Sequence, residues 1–157
     1  MTPVLPPATV RAKEIVFPVA VEWLGARRVL ACVEGKPEIV VTAPPEFRGV
    51  DPRAWSPEDM FVAAAATCLA VTFTGLAEHA PIHLASLHVD GQGAVGRRDD
   101  GRFGFTSVRL RLRAGVRAGE EEITFDLARQ AEARCLVAAS FALPVEVDVE
   151  VRAVGGD

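Results

Sequence analysis

The sequence lacks the features that mark several common functional classes. It has no excess of basic residues, because 17 Lys and Arg stand against 21 Asp and Glu, a formal net charge of −4. Its arginines alternate along strand-like segments and form no basic block, so we expect neither nucleic acid nor a membrane as a partner. No CxxC or HExxH pattern accompanies the three histidines. We therefore expect no metal site and no cofactor.

Cysteine is scarce, and no secretory leader is visible. The chain has three cysteines, and its N-terminus lacks the basic start and long apolar core of a signal peptide. This combination predicts a reducing, cytoplasmic compartment, where a paired thiol is more often redox-active than structural. The 157 residues, half of them apolar, suit one well-packed domain. We predict a flexible, proline-rich arm over residues 1–9 and a single domain over residues 10–157.

Hydrophobic periodicity predicts an α+β fold in the order β-β-β-α-β-β-α-β. Alternation with a period of two marks the strands, and capping and breaking residues mark the helix ends. Both helices are expected to cover one hydrophobic face of the sheet. The predicted strands cover residues 10–23, 28–34, 38–42, 84–95, 104–114 and 145–151, and the predicted helices run from Pro57 to about His79 and over residues 120–134, with a short helical turn after Cys135.

Two of these strands carry opposite charges on their polar faces. Arginine occupies every second position of residues 109–113, and acidic residues occupy every second position of residues 145–151. Opposite charges on neighbouring strands attract across the sheet. We therefore predict that the two strands lie side by side in one sheet.

The first helix contains eighteen uncharged residues, Met60–Ala77, enough to cross a membrane. The segment is rich in Ala and Thr, which enter lipid weakly, and no Lys or Arg cluster flanks it. A helix that is apolar on all sides can equally form the buried spine of a soluble protein. We favour the buried spine.

Cys68 lies inside this apolar helix, and Cys135 lies 67 residues later at the end of the second helix. Either cysteine alone is explained as a small buried hydrophobe. Two packed helices, however, can bring two thiols within the Cα separation of about 7 Å that a disulfide needs. A thiolate in an apolar helix also needs a stabilising neighbour, and Glu58 and several arginines are candidates.

At these residues the chain resembles the osmotically inducible protein C and organic hydroperoxide resistance (OsmC/Ohr) family. The resemblance lies in Ser56-Pro-Glu-Asp-Met-Phe-Val-Ala-Ala-Ala-Ala-Thr-Cys68, where a reactive cysteine follows a Pro-Glu pair by ten positions. It continues in Ala131-Glu-Ala-Arg-Cys135, in the approach segment 42–49 and in the closing valine-rich strand. It implies a curved, antiparallel-rich sheet on a long buried central helix, in an intertwined dimer.

The resemblance also implies an antioxidant thiol peroxidase of the oxidative stress response. Cys68 is then the peroxidatic thiol, which attacks an organic hydroperoxide and becomes a sulfenic acid. Cys135 resolves it to a disulfide, which an external dithiol of lipoyl type, or a small thiol, reduces. An arginine, oriented by Glu58, holds the thiolate. Arg27 is our candidate for that arginine.

Some assignments stay open at the level of sequence. Arg28 is a rival of Arg27, and Arg48 is a third option for the thiolate-holding arginine. Leu136 follows the second cysteine where the family pattern has proline. Cys32 alternates with its neighbours on a short strand and is interpreted as core.

An apolar entrance would favour alkyl and lipid hydroperoxides over hydrogen peroxide by binding the organic tail. Four apolar residues of the first helix are candidates for such a pocket, although residues of this kind on a buried helix are often ordinary core. They are Met60, Phe61, Leu69 and Phe73.

Glu58 raises a geometric question, because ten helical residues separate it from Cys68, a rise of about 15 Å. Either the helix begins later than Pro57 and the chain folds back, or the pair is completed across a subunit interface. The second option fits the dimer that the resemblance implies, so we predict a homodimer.

Two other functions remain compatible with the same sequence. The protein could be a binding protein that sequesters an apolar or thiol-containing ligand without turnover, or a purely structural dimeric module. A fold-level resemblance does not by itself decide between them and a peroxidase.

Overall fold

The computed structural model describes residues 14–155, which divide between Trp55 and Ser56 into two compact units. The order of strands and long helices is the predicted one. The predicted arm, residues 1–9, and the first four residues of the strand expected over 10–23 lie outside the described part of the chain.

The first unit contains an antiparallel sheet of three strands in the order β1-β2-β3. The first strand starts ten residues later than predicted and ends two residues later. It begins just after Pro18, whose ring nitrogen has no hydrogen to donate to a ladder. The strands are β1 (Ala20–Gly25), β2 (Arg28–Cys32) and β3 (Ile39–Thr42), and a short 3-10 helix follows at Pro45–Phe47.

The second unit contains the central helix, the other helices and a mixed sheet in the order β4-β5-β6. β4 and β5 are antiparallel, whereas β6 joins β5 in parallel after the crossover through α2 and α3. Each unit thus has a three-stranded sheet, and every strand pair except β5–β6 is antiparallel, as the antiparallel-rich prediction has it. The elements are α1 (Pro57–Ala77), β4 (Leu84–Arg97), β5 (Phe103–Arg117), α2 (Glu121–Arg134), α3 (Leu136–Ala139) and β6 (Val145–Val154).

Helix α1 begins where the capping residues predict. The Ser56 hydroxyl accepts from the Asp59 amide at 3.0 Å, and the Asp59 carboxylate accepts from the Ser56 amide at 2.9 Å. This reciprocal capping box satisfies donors that a helix start leaves free. The helix runs unbroken from Pro57, so it does not begin later than the sequence indicates.

One face of α1 forms the middle of the second unit's core. Ala65, Leu69 and Phe73 are its fully buried residues and pack with the inward face of β5 and with α2. Other positions are open within a single chain, and Val71 is 70% exposed. By length and composition alone α1 could also span a membrane, a property that core helices of soluble proteins share.

The predicted pairing of the two oppositely charged strands is confirmed. β5 and β6 are neighbours, with Arg109 opposite Glu146 and Arg111 opposite Asp148. The Arg109 Nε lies 2.8 Å from a Glu146 carboxylate oxygen, and the Arg111 Nε lies 3.2 Å from one of Asp148. These pairs are exposed, so each contributes at most about 1 kcal/mol. Their main effect is to favour this register over others.

Two glycines of β4 allow α1 to lie close to the sheet. A Cβ added at Gly91 would lie 2.8 Å from a Val62 methyl. One added at Gly93 would lie 2.6 Å from Val62 and 2.6 Å from the Phe105 ring. Real carbon atoms do not approach so closely, because overlap at these distances is strongly repulsive. The path of α1, and hence the height of Cys68 above the sheet, depends on these missing side chains.

We expect Gly93→Ala to destabilise the protein by about 1–3 kcal/mol through this overpacking. The matched control is Gly96→Ala on the same strand, where an added Cβ meets its nearest neighbour at an ordinary 3.7 Å. The measurement is urea unfolding of both variants and the parent protein. Equal midpoints for the two variants would show that β4 and α1 do not need this close approach.

Candidate functional site

The second unit brings the two predicted redox cysteines into contact. Cys68 lies near the middle of α1, and Cys135 lies at the junction between α2 and α3. The Cys135 thiol lies close enough to Cys68 to lower the pKa of the Cys68 thiol, and both are free thiols. Cys135 is buried with 2% exposure, whereas Cys68 is partly exposed. The two thiols are therefore neighbours, and Cys68 is the more exposed of the two.

The backbone at Cys135 creates a break between two helices. With φ −68° and ψ 98° the residue is extended, so it ends α2 and caps α3 at the same time. Its carbonyl accepts the Ala139 amide at 3.0 Å, which closes the first turn of α3. The first amides of a helix have no acceptor within it. Those of Leu136 and Val137 lie near Cys68 and lower the pKa of its thiol.

These donors make Cys68 the more acidic of the two thiols. Burial raises the pKa of Cys68, but the amide of Val137, the Cys135 thiol, the Thr72 hydroxyl and the amide of Leu136 all stabilise its thiolate. Together they outweigh burial and hold the pKa below its usual value. An apolar helix thus carries a thiol whose pKa is below its usual value, because groups from a second element lie near it.

Cys135 has the opposite character. Burial raises its pKa, and its hydrogen bond and proximity to Cys68 raise it further, against a smaller opposing effect of the Ala138 and Val137 amides. A thiol that donates to a neighbouring thiolate loses that hydrogen bond when it ionises. The pair therefore consists of a thiol that is more acidic than usual and a neighbouring thiol that is less acidic than usual.

A stack of three aromatic rings holds the α3 region against α1. The Phe61 ring lies between the rings of Phe105 and Phe141, with centroids 4.3 Å and 4.0 Å away. Phe61 is two helical turns before Cys68, and Phe141 follows α3. The stack therefore fixes the segment that carries Cys135 over the helix that carries Cys68. Phe61 has both ring faces covered by protein.

The other predicted pocket residues differ in burial. Leu69 and Phe73 are almost completely buried members of the core, with 1% and 0% exposure, and Met60 is partly buried. The assignment of all four residues to a substrate pocket stays a prediction.

Glu58 lies in the first turn of α1, and one of its carboxylate oxygens is buried without a hydrogen-bond donor among residues 14–155. Because α1 is continuous, Glu58 and Cys68 of one chain are separated by about 15 Å of helix rise. They do not meet within one protomer. Burying a carboxylate oxygen without a hydrogen-bond donor costs free energy. We therefore expect Glu58 to pair with a cation or another donor.

Arg27, the candidate thiolate-holding arginine, lies in the two-residue turn between β1 and β2. Its guanidinium donates to the Phe47 carbonyl at 2.5 Å. Its rival Arg28 is the first residue of β2, and Arg48 ends the 3-10 helix in a left-handed conformation with φ 62°. All three belong to the first unit, and the choice among them stays a prediction.

Cys32 differs from the redox pair. Burial raises its pKa, and the carboxylates of Glu38 and Glu22 raise it further by repelling a thiolate. These effects favour the protonated thiol. Cys32 is only partly buried and is not among the core residues, so its interpretation as core is wrong. Within residues 14–155, no three His, Cys, Asp or Glu side chains are grouped so as to hold a metal ion.

Sequence reasoning missed three of the groups that face Cys68. Thr72 follows Cys68 by four positions on α1, a spacing that places both on one helix face, so its role was open to prediction. The role of the Leu136 and Val137 amides could not be predicted, because almost every residue has a backbone amide and the sequence does not show which amides are free to act as donors.

Comparison with known proteins agrees with this fold. A model of the OsmC-like protein family matches residues 50–150. Among solved structures, an OsmC-like protein of unknown function from Vibrio cholerae superposes with a TM-score of 0.79 at 19% identity, covering 87% of this chain and 99% of the other.

Two further solved structures are named organic hydroperoxide resistance proteins. The one from Elizabethkingia anophelis has a TM-score of 0.67 and 20% identity, with 90% and 100% of the two chains covered. The one from Bacillus subtilis has a TM-score of 0.60 and 18% identity, with 88% and 98% covered. No curated protein sequence matches the chain. The family match over residues 50–150 and these shared folds lead to one conclusion: the chain belongs to the OsmC-like protein family.

Proposed function

We propose that the protein is a thiol-dependent peroxidase that reduces organic hydroperoxides. The observation that carries this proposal is the contact between two thiols whose pKa values shift in opposite directions. An acidic, accessible thiol is suited to attack a peroxide, and a buried, protonated thiol beside it is suited to resolve the product. The family includes organic hydroperoxide resistance proteins, which supports the same chemistry.

The proposed cycle balances with one peroxide and one external dithiol. The Cys68 thiolate attacks the distal peroxide oxygen, the O–O bond breaks, and the alkoxide takes up a proton to leave as an alcohol. Cys68 is then a sulfenic acid. The Cys135 sulfur attacks the Cys68 sulfur and water leaves, which forms the disulfide. The dithiol returns both cysteines to thiols and becomes a disulfide itself.

Leu136 takes part in this scheme through its backbone. The family pattern has proline at this position, and proline has no N–H. Leucine supplies an amide that faces the Cys68 sulfur, while its own side chain is 73% exposed. The departure from the pattern therefore adds a donor to the thiolate and is compatible with turnover.

We further propose that a second copy of the chain completes each site. Glu58 has a buried oxygen without a donor in the described part of the chain, and it cannot reach its own Cys68 along a continuous helix. Much of α1 is apolar and open within one chain. In the proposed homodimer two α1 helices pack together, which buries that surface and brings Glu58 of one copy to Cys68 of the other.

The remaining parts of the proposal follow from the same residues. A cytoplasmic location suits a protein whose two thiols form a disulfide in every turnover, because that disulfide must then be reduced again. Apolar side chains around the thiol favour alkyl or lipid hydroperoxides. A dithiol of lipoyl type, or a small thiol, is the proposed reductant.

Cys68→Ser is expected to abolish consumption of cumene hydroperoxide. Cys135→Ser is expected to permit one turnover and then stall, because the sulfenic acid has no internal partner. Peroxide loss is followed by absorbance and the protein products by mass spectrometry, with Cys32→Ser as the control that keeps full activity. Multiple turnovers in Cys68→Ser would eliminate the mechanism. A wild-type protein that binds peroxide without forming a Cys68–Cys135 disulfide would be a binding protein.

Leu136→Pro removes the backbone N–H of residue 136 and is expected to leave the backbone conformation nearly unchanged. Residue 136 is the first of α3, a position that tolerates proline, and the extended backbone of Cys135 suits the residue before a proline. We expect the pKa of Cys68 to rise. Alkylation of Cys68 by iodoacetamide at neutral pH should slow by up to ~10-fold, since a hydrogen bond to a charged group contributes roughly 1.5 kcal/mol.

The control is Leu136→Ala, which removes the side chain and keeps the amide. The measurement is the pH dependence of alkylation of the Cys68 peptide, read by mass spectrometry. If the profiles of the proline and alanine variants coincide, the Leu136 amide does not hold the thiolate.

Mixing two inactive variants tests the shared site. In a heterodimer of Cys68→Ser with Glu58→Gln chains, one site combines an intact Cys68 with an intact Glu58 only if these residues come from different copies. After exchange of subunits at equal amounts, we expect recovery of roughly a quarter of wild-type activity, since half the dimers are mixed and half their sites are intact. Suppose that sedimentation shows mixed dimers but the mixture is no more active than the separate variants. Glu58 and Cys68 of each site would then come from the same copy.

A further inference from the structure

Arg129, in the second half of α2, joins this helix to the neighbouring strand β6. Its Nη1 donates to a Glu132 carboxylate oxygen at 2.6 Å and to the Val147 carbonyl at 3.1 Å. The guanidinium also lies over the Phe125 ring, 5.3 Å from its centroid, which limits the orientations open to it. A single nitrogen therefore connects a side chain of α2 with the backbone of β6. We call these two hydrogen bonds the Arg129 clamp.

On the helix side, the clamp acts on the turn that carries Cys135. The Glu132 carbonyl accepts the Cys135 amide at 3.2 Å, which closes the last turn of α2. The buried residues of α2 end at Ala131, one turn before Cys135. The last turn of the helix thus has no buried side chain of its own, and the clamp ties it to β6.

On the strand side, the clamp is attached to the core that sets the position of Cys68. Val147 lies opposite Leu110 of β5 in the sheet. Leu110 belongs to the same core cluster as Leu69, the residue after Cys68 on α1. The Arg129 clamp therefore relates the turn before one thiol to the core beside the other.

Apolar packing between this last turn and the sheet is incomplete. A cavity of about 300 Å³ is lined by Glu132, Cys135 and Ala138 from the helical segment and by Leu110 and Val147 from the sheet. Atoms beside a void lack the van der Waals contacts that a filled core would give them. Polar contacts between the helical segment and the sheet therefore have more influence on where Cys135 lies.

We propose that Arg129 is a positioning residue for the resolving step of the peroxidase. By holding the end of α2 to β6, it keeps the Cys135 thiol in reach of the oxidised Cys68. The proposal rests on the proposed function, since it concerns the second step of that cycle. In this step the Cys135 sulfur bonds to the Cys68 sulfur, the S–O bond of the sulfenic acid breaks, and the leaving hydroxide takes the Cys135 proton to form water.

The resolving step is the one that depends most on position. Two sulfurs must reach a bond length of about 2.05 Å with a restricted dihedral angle. Misplacing a reacting group by about 1 Å can slow a reaction by about 100-fold. Attack on the peroxide needs only an ionised Cys68, to which several groups contribute. The Arg129–Glu132 pair is partly exposed, so its loss is expected to change stability little.

The first experiment isolates the resolving step without peroxide. In a Cys32→Ser background, one equivalent of the aromatic disulfide DTNB reacts with Cys68 and releases one thionitrobenzoate. Cys135 then attacks the Cys68 sulfur, forms the disulfide and releases the second thionitrobenzoate. Absorbance records both releases. In Arg129→Ala we expect the second release to slow roughly 10-fold and the first to change less than about 3-fold.

Two further variants serve as controls. Arg134→Ala removes the same side chain from an exposed position nearer to Cys135, and both releases should stay within about 2-fold of the parent. Arg129→Lys keeps one charged nitrogen whose three N–H groups can serve both acceptors, so the second release should recover to within about 3-fold of the parent. A second release at the parent rate in Arg129→Ala, equal slowing in Arg134→Ala, or no recovery in Arg129→Lys overturns the proposal.

Arg129→Gln guards against a folding defect in the alanine variant. Glutamine favours helix but lacks the charge and the reach of arginine, so the second release should slow by a similar factor. Urea unfolding of all variants checks that their stability is close to that of the parent. A parent rate of second release in a folded Arg129→Gln also overturns the proposal.

The second experiment uses peroxide and measures the intermediate. After one equivalent of cumene hydroperoxide, the parent should contain mainly the Cys68–Cys135 disulfide. Arg129→Ala should accumulate the Cys68 sulfenic acid, trapped by dimedone, and should form more sulfinic acid when peroxide is in excess. A general loss of structure would not slow the second step alone. Equal dimedone labelling of parent and variant overturns the proposal.

The failures of the two proposals are distinguishable. A parent protein that releases the second thionitrobenzoate but forms no disulfide with cumene hydroperoxide contradicts the peroxidase, and the DTNB comparison still tests Arg129. A parent disulfide that forms with peroxide, at the same rate in Arg129→Ala, contradicts only the positioning role. If the parent releases a single thionitrobenzoate, Cys135 does not reach Cys68 and both proposals fall.

Discussion

The contact between the Cys68 sulfur and the start of α3 is the constraint on which the functional interpretation depends. Cys68 is on a helix whose neighbouring side chains offer little beyond the Thr72 hydroxyl to stabilise an anion. The missing stabilisation comes from the Cys135 thiol and from amides freed by the break between α2 and α3. The break therefore has two effects at once, since it positions the second thiol and exposes the donors that ionise the first.

Several features of the fold serve to maintain this contact. The Phe105–Phe61–Phe141 stack ties the chain after α3 to α1 and to β5. Gly91 and Gly93 let α1 lie close to β4. Leu69, one residue after Cys68, is buried in the core between α1 and the sheet. A shift in any of these would change the distance between two sulfurs that need to meet within about 0.5 Å of bonding geometry.

The two thiols are unequal, and the inequality has a simple physical origin. Burial raises the pKa of both thiols, but the Val137 amide, the Cys135 thiol, the Thr72 hydroxyl and the Leu136 amide bring that of Cys68 below its usual value, whereas the nearby Cys68 adds to the effect of burial on Cys135. One fold thus gives a partly exposed thiol with a lowered pKa and, beside it, a buried thiol with a raised one.

Much of the fold could be predicted from the sequence alone, because local patterns control local structure. The Ser56–Asp59 capping box sets the start of α1, and alternating Arg and acidic residues identify β5 and β6 as neighbours. The candidate cysteines also followed from sequence, through their motif. The parallel direction of β6 and the division into two sheets did not, since strand pairing depends on how the connections cross in space.

The site itself was decided by tertiary structure. From the sequence we predicted that an arginine side chain stabilises the thiolate, because a sequence specifies side chains and not the positions of backbone amides. The groups that face Cys68 within its own unit are mainly backbone amides and a second thiol from a segment 67 residues away. The sequence by itself determined which atoms are present and which segments are helices or strands. Only packing decided which donors reach the sulfur, because hydrogen bonds and burial act over a few ångströms of space rather than along the chain.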